Sequence, residues 1–370
     1  MAHIKAKIKP VDYQLLAVIG ILLGLGLIIL YSASTVLSFS KYHSNSHYFF
    51  TQLLQGVVAG LILMYVCSKI DYHFWQKWAP LIILGAIALL MAVLVPHLGV
   101  KVGNARRWIG VGPLTFQPSE VAKLALIFYL ASWIDKRHHE INDFFYGVIP
   151  ILIIYGIIAG LIILQPDIGT MLVVTAISFS MLFVGGIRIK HFMWVGLLGL
   201  AALGVLIKIE PYRLARLTTF LNPSVDPQGT SYQINQALLA VGSGGLFGVG
   251  YGNSRQKYNY LPEVMGDSIF AVTVEELGFI RSGLIILLYF WFALRGLRIA
   301  NHAPDTFGKM LAVGIVAWIM FQAMINIGAI IGLLPLTGIP LPFISYGSTS
   351  LIVLLAGVGI LLNISRQTAI

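Results

Sequence analysis

Long apolar runs constrain this chain more than any other feature. They fall at about 13–31, 49–67, 78–95, 118–134, 144–164, 168–186, 190–208, 268–296, 308–333 and 344–364. About twenty apolar residues cross the hydrocarbon core of a bilayer, and a spanning segment must satisfy its own backbone hydrogen bonds, so each run predicts a transmembrane helix. Only 10% of the residues are charged, against roughly 25% in a soluble domain, so an aqueous fold does not account for the composition. The expected fold class is all-α, a polytopic integral membrane protein with about ten transmembrane helices and one large extracytoplasmic loop. The whole of 1–370 reads as one transmembrane domain, with 209–267 as the large loop within it.

The first run follows Lys5, Lys7 and Lys9 and ends in Ser32-Ala33-Ser34, which imitates a signal peptide. It exceeds the ~7–15 residues of a cleavable apolar region and reads as a retained helix. The net charge of +10 could suggest nucleic acid. The basic residues instead sit in short connections, as membrane topology requires, and no nucleic-acid partner is expected. Placing both termini in the cytoplasm puts Lys69, Lys77, Lys136, Arg137, Arg188, Lys190, Arg295, Arg298, Lys309 and Arg366 at the inner face of a multi-pass cytoplasmic-membrane protein. The outer connection 96–117 breaks the trend with Lys101, Arg106 and Arg107, and Arg213, Arg216, Arg255 and Lys257 add an outer basic group. The lone Cys67 allows no disulfide framework and reads as a buried, inert thiol.

Three acids stand out at the start of the eighth run. Asp267 lies where a polar loop enters it, and Glu275 and Glu276 lie inside it. A carboxylate at membrane depth costs on the order of 2.5–3.5 kcal/mol, so it is read as functional or paired. Asp267 itself has two readings, a helix N-cap or a catalytic group. Glu120 and Lys123 are helical neighbours at i, i+3 and read first as a structural or regulatory ion pair. Arg106 and Arg107 beside Trp108 read equally as an interfacial anchor or as guanidinium forks for phosphate. Asp167 in Gln165-Pro166-Asp167 reads as a cap, and the glycines of 242–252 as close turns before an anion nest. His43 and His47 have helical spacing without a third metal ligand nearby.

Together these motifs resemble the SEDS family, the group of FtsW, RodA and SpoVE. The resemblance rests on YSAS at Tyr31–Ser34, ARRW with FQPSE-x-x-K, QPDIGT, EPYR-x-x-R, DPQG-x-x-YQ, SGGLFG-x-G, QK-x-x-YLPE, EELG and GIPLPFISYGS, in order over nearly the whole chain. Lys257 with Tyr260 before Leu261-Pro262-Glu263, and EPYRLARLTTFLNP, resemble the division branch of the family.

The resemblance implies an inverting peptidoglycan glycosyltransferase that polymerises lipid II at the outer face of the membrane, for septal synthesis. It makes Asp267 the catalytic carboxylate and gives Arg106, Arg107, Arg213, Arg216, Lys257 and Glu263 to the substrate. A divalent cation, Mg or Mn, is the one cofactor such chemistry would call on. The implied partners are a class B penicillin-binding protein acting as transpeptidase, and other division or elongation proteins. A lipid II flippase and a non-catalytic scaffold are the other two classes open. Three residues depart from the family pattern: Ser268 for an aromatic residue, Arg281 for a glycine, and Ser348 for the second glycine of SYGG. Arg281 is expected to pair with Glu275 or Glu276.

Overall fold

The computed structural model describes residues 10–368 apart from 103–104, 112–113, 138–139, 142, 210, 223–225, 227 and 230. The expected spans are helices: α1 (Tyr13–Tyr42), α2 (His47–Thr51) running through a π-helical stretch (Gln52–Val58) into α3 (Ala59–Lys69), α4 (His73–Leu94) and α5 (Pro118–Lys136). They continue as a π-helical turn (Phe144–Val148) leading into α6 (Ile149–Leu164), then α7 (Ile168–Val184) and α8 (Ile189–Ile209). After α9 (Pro211–Leu221) and α10 (Tyr232–Ser243) come α11 (Ile269–Asn301), α12 (Thr306–Ile330) and α13 (Ser348–Gln367). Among the described residues, seven helices are long and apolar enough by themselves to cross a membrane. Helix α5, with Glu120 and Lys123, and the shorter α7 and α8 complete the passes expected from sequence.

The connection at 96–117 holds a structure that the helical reading did not foresee. Strands β1 (Gly99–Val102), β2 (Ala105–Val111) and β3 (Leu114–Phe116) form a small antiparallel sheet in the order β1-β2-β3, with Ile109 opposite both Gly99 and Phe116. The large connection before α11 is likewise partly helical, through α9 and α10.

Helices α12 and α13 form the centre, because their apolar stretches are covered nearly all round. Helix α12 packs on α5, α7 and α11, and α13 on α3. The α3–α13 contact is close backbone packing: a Cβ on Gly359 would stand 2.3 Å from the Met64 carbonyl. Small residues permit such approach where lipid supplies no hydrophobic drive between helices.

Helix α11 is broken at Gly278, whose φ of 80° and ψ of 174° lie outside helical geometry. At 1.5 Å per residue, Gly278–Asn301 rises ~36 Å and spans a bilayer without the preceding turns. Glu275 and Glu276 therefore lie ahead of the break, in the turns that precede this stretch of the helix. Antiparallel α1 carries the same level marks. Asp12 pairs with Arg295 at 2.5 Å near one end, and Ser32 donates to Glu276 at 2.7 Å near the other. Along the unbroken α1, from Asp12 to Ser32, the two marks are ~30 Å apart, about the thickness of the hydrocarbon core.

Candidate active site

Asp267 occupies the turn ahead of α11, at the end of the bundle shared by the β-sheet, the α6–α7 turn and the segment 331–347. It does not cap the helix. The cap position belongs to Ser268, without a side-chain cap bond, and the Asp267 carboxylate instead accepts from Gln233 Nε2 at 3.3 and 3.4 Å. The same Gln233 amide lies 3.1 Å from Ser268 Oγ, so the serine that departs from the family pattern joins the site.

The Asp267 backbone is fixed from behind. Asn326 Nδ2 of α12 donates to the Asp267 carbonyl and to the Ile339 carbonyl, each at 2.8 Å. Ser345 Oγ donates to the Gly266 carbonyl at 2.7 Å, and the Tyr346 amide to the Met265 carbonyl at 2.8 Å. The segment Gly338–Tyr346 is thus the cradle of the carboxylate. Gly338 has φ of 72°, and a Cβ there would stand 3.8 Å from Asp267 Oδ2, so glycine suits both the turn and the nearby oxygen.

Burial is the main cause that pushes the Asp267 carboxyl up to about 6; the Glu263 charge adds to it, while Arg216 and the Gln233 bond oppose it. Its partner Gln233 lines a cavity of about 180 Å³ together with Arg216, Thr219 and Leu334–Leu336. Arg216 Nη1 donates to the Leu336 carbonyl at 2.7 Å, which holds α9 against the segment after α12. Glu263 is exposed, with φ of 50°. A Cβ on Gly266 would stand 3.3 Å from Glu263 Oε2, so two glycines keep room beside the two carboxylates. That donor set suits a hard divalent cation shared with a phosphate.

The remaining candidates are placed elsewhere. Arg213 lies in α9, and its side chain falls outside the described residues. Arg106 stands opposite Lys101 in the β1–β2 ladder. Arg107 Nε donates to the Gln165 carbonyl at 3.1 Å and Nη2 to the Pro166 carbonyl, which ties the sheet to the α6–α7 turn. In that turn Asp167 caps α7 through the Thr170 amide at 3.1 Å, as the capping reading expects.

Lys257 is turned inward, with its side chain 4% exposed. Its Nζ meets Glu276 Oε1 at 3.0 Å, Ser32 Oγ at 3.0 Å and the Gly252 carbonyl at 2.6 Å. The expected substrate contact by Lys257 thus gives way to a buried ion pair. Glu275 accepts from Ser254 Oγ at 2.5 Å and the Arg255 amide at 2.9 Å. With both acids engaged by the loop, Arg281 pairs with neither; it is exposed and donates to the Phe247 carbonyl at 3.4 Å, which corrects that expectation. The glycine-rich run makes close turns: the Val249 and Gly250 amides donate to the Glu275 and Glu276 carbonyls at 2.9 and 3.1 Å.

Glu120 and Lys123 form the expected pair at 2.8 Å, fully buried, and its role is to hold the cradle. Lys123 Nζ also donates to Gln322 Oε1 at 2.8 Å and lies 5.1 Å from the Trp318 ring centroid. Gln322 Nε2 then donates to the Pro340 carbonyl at 3.0 Å, while Ser350 Oγ donates to Glu120 Oε2 at 2.9 Å. Sequence reasoning missed Gln233, Gln322, Asn326 and Ser345. An isolated amide in an apolar run was the available signal for Gln322 and Asn326, since a polar group there needs a partner.

Fold and site together define a multi-pass helical membrane protein with a raised-pKa carboxylate in a loop-built cradle at one end of the bundle. Residues 13–370 match the family described as "Cell cycle protein", that of FtsW, RodA and SpoVE. The chain belongs to this family. It is 45% identical to Stage V sporulation protein E of Bacillus subtilis over 96% of this chain and 97% of that protein. It is 39% identical to the probable peptidoglycan glycosyltransferase FtsW of Geobacter sp. (strain M18), over 98% of each. Among solved structures it is similar to a chain of a peptidoglycan synthase complex described as coordinating polymerization and crosslinking, with TM-score 0.79, 28% identity and coverage of 96% of this chain and 98% of that one. The rod shape determining protein RodA of Thermus thermophilus matches with TM-score 0.72 and 28% identity over 97% of this chain and 98% of that one.

Proposed function

We propose that this chain is a peptidoglycan glycosyltransferase that polymerises lipid II at the outer face of the cytoplasmic membrane, with both termini in the cytoplasm and Asp267 as its base. The observation that carries the catalytic reading is the Asp267 carboxylate itself: it caps no helix, is held from its backbone by Asn326, and accepts from Gln233, which lines a cavity together with Arg216. An acceptor sugar hydroxyl attacks the anomeric carbon that bears the pyrophosphate. The new C–O bond forms as the bond to the pyrophosphate oxygen breaks, undecaprenyl pyrophosphate leaves, and the hydroxyl proton passes to Asp267. A positioned base supplies typically ~10²–10⁴-fold. Arg216 stabilises the departing negative charge, with Arg213 on the same helix as a further candidate. A divalent cation, when bound, would supply charge neutralisation to the pyrophosphate, and Glu263 with Asp267 beside it would hold it.

The polar residues that a flippase path would use are spent inside the fold, on the cradle and on the Lys257 pair. That distribution favours synthesis over transport. Use in septal wall synthesis, with a class B penicillin-binding protein as partner, is supported by the FtsW-named relatives and the similar synthase complex. The test is glycan-strand synthesis from purified lipid II by this chain with its transpeptidase, comparing the native protein with Asp267→Asn. Polymer from the native protein and none from a folded variant is expected; equal polymer from both would make the carboxylate structural.

A further inference from the structure

Away from the Asp267 end, helices α1, α3 and α13 enclose a groove of about 390 Å³. Leu16, Met64 and Leu362 give it an apolar wall, and Lys69 and Arg366 line it as well. Among the described residues no carboxylate lines it, and neither cation has an ion-pair partner. Arg295 at the same end is, by contrast, already engaged by Asp12. Lys69 Nζ lies 5.3 Å from the Tyr65 ring centroid. Tyr65 and Tyr13 are 63% and 68% exposed, as suits the aromatic belt at headgroup level. Lys69 closes α3 and Arg366 stands in the last turn of α13, so both charges lie at the membrane boundary while the apolar wall continues along the helices.

We propose that this groove binds an anionic diacyl phospholipid of the adjoining leaflet, its phosphate on Lys69 and Arg366 and an acyl chain along Leu16, Met64 and Leu362. Basic pockets between transmembrane helices recognise lipid headgroups in this way. A zwitterionic lipid would bring its own ammonium against the two cations and lose the preference. Free phosphate would leave the apolar wall unused. The inference does not depend on the glycosyltransferase reading.

The test is native mass spectrometry of the full chain in detergent with phosphatidylglycerol or phosphatidylcholine of matched acyl chains. The native protein should retain phosphatidylglycerol preferentially. Lys69→Gln with Arg366→Gln should weaken that retention by roughly 30-fold, given the contribution of each cation near a membrane surface. Leu16→Trp, which fills the wall and leaves both charges, should also weaken it, and Lys309→Gln at the same end should leave it unchanged. Equal retention of the two lipids by the native protein would overturn the proposal, as would a preference that survives the double substitution. Competition by glycerophosphate as effective as that by the intact lipid would also overturn it and make the groove a phosphate site. Should the double variant fail to fold, Leu16→Trp decides alone.

Discussion

Asp267 is a carboxyl held about two pH units above the usual ~3.9, at about 6. In the role of base proposed for it, Asp267 must be ionised to accept a proton, so glycan synthesis should fall about tenfold per pH unit below pH 6 and level off above it. A rate–pH profile on lipid II checks this; a profile flat down to pH 5 would remove the carboxylate from the rate-limiting step. Stability should move the other way. Because the folded chain keeps a proton there that the unfolded chain has lost, this group favours folding more as pH drops from 6 towards 4. Asn326 is the residue through which the position of Asp267 can be tested. Asn326→Leu removes two donors at 2.8 Å and should cost about 1–3 kcal/mol, read as thermal destabilisation. It should lower kcat more than it raises KM, since the base is displaced while the cavity remains.

At the scale of elements, the break in α11 and the glycine loop beneath it are one construction. A Cβ on Gly278 would stand 2.3 Å from the Gly248 amide nitrogen, and one on Gly248 2.2 Å from the Glu276 carbonyl. Gly278→Ala should therefore cost more than the ~1 kcal/mol of an ordinary glycine-to-alanine strain, because backbone must shift as well as φ. A lowered unfolding temperature in detergent and faster proteolysis in 244–257 would register it. Lys257→Met leaves Glu276 buried without its cation and should cost about 3–5 kcal/mol, whereas removing both charges together should recover part of it; thermal unfolding of the single and double variants measures the difference. Much of this level was legible in the sequence. The spans, the Asp167 cap and the Glu120–Lys123 pair follow from hydropathy and i, i+3 spacing, which act locally. The sheet was not, because its strands are too short to show a period against the apolar runs around them. The inward turn of Lys257 was not either: it depends on Ser32 and Glu276, which lie 225 and 19 residues away along the chain. Arg281 was misjudged for the same reason, since its expected partners were already taken by loop residues.

At the scale of the whole molecule, the basic residues that prompted the reading of topology cluster at the end away from Asp267, and the carboxylate cradle stands at the other. Single cysteines placed at the two termini should be shielded from a membrane-impermeant thiol reagent applied to intact cells, and one placed at Asn259 should react; Cys67 is buried and gives little background. The ion pair of Asp12 with Arg295 and the cluster of Ser32, Lys257 and Glu276 bracket the same two helices. Their spacing makes α1 and α11 a fixed gauge, because each cluster ties the two helices together at one level. Since Glu276 leads through the broken helix to the Asp267 turn, a bilayer of the wrong thickness would bend the catalytic end itself. Reconstituted into vesicles of graded acyl length, the protein should therefore work fastest where the hydrocarbon layer matches ~30 Å and slow on either side. Enzyme turnover would then report the thickness of the membrane that surrounds it.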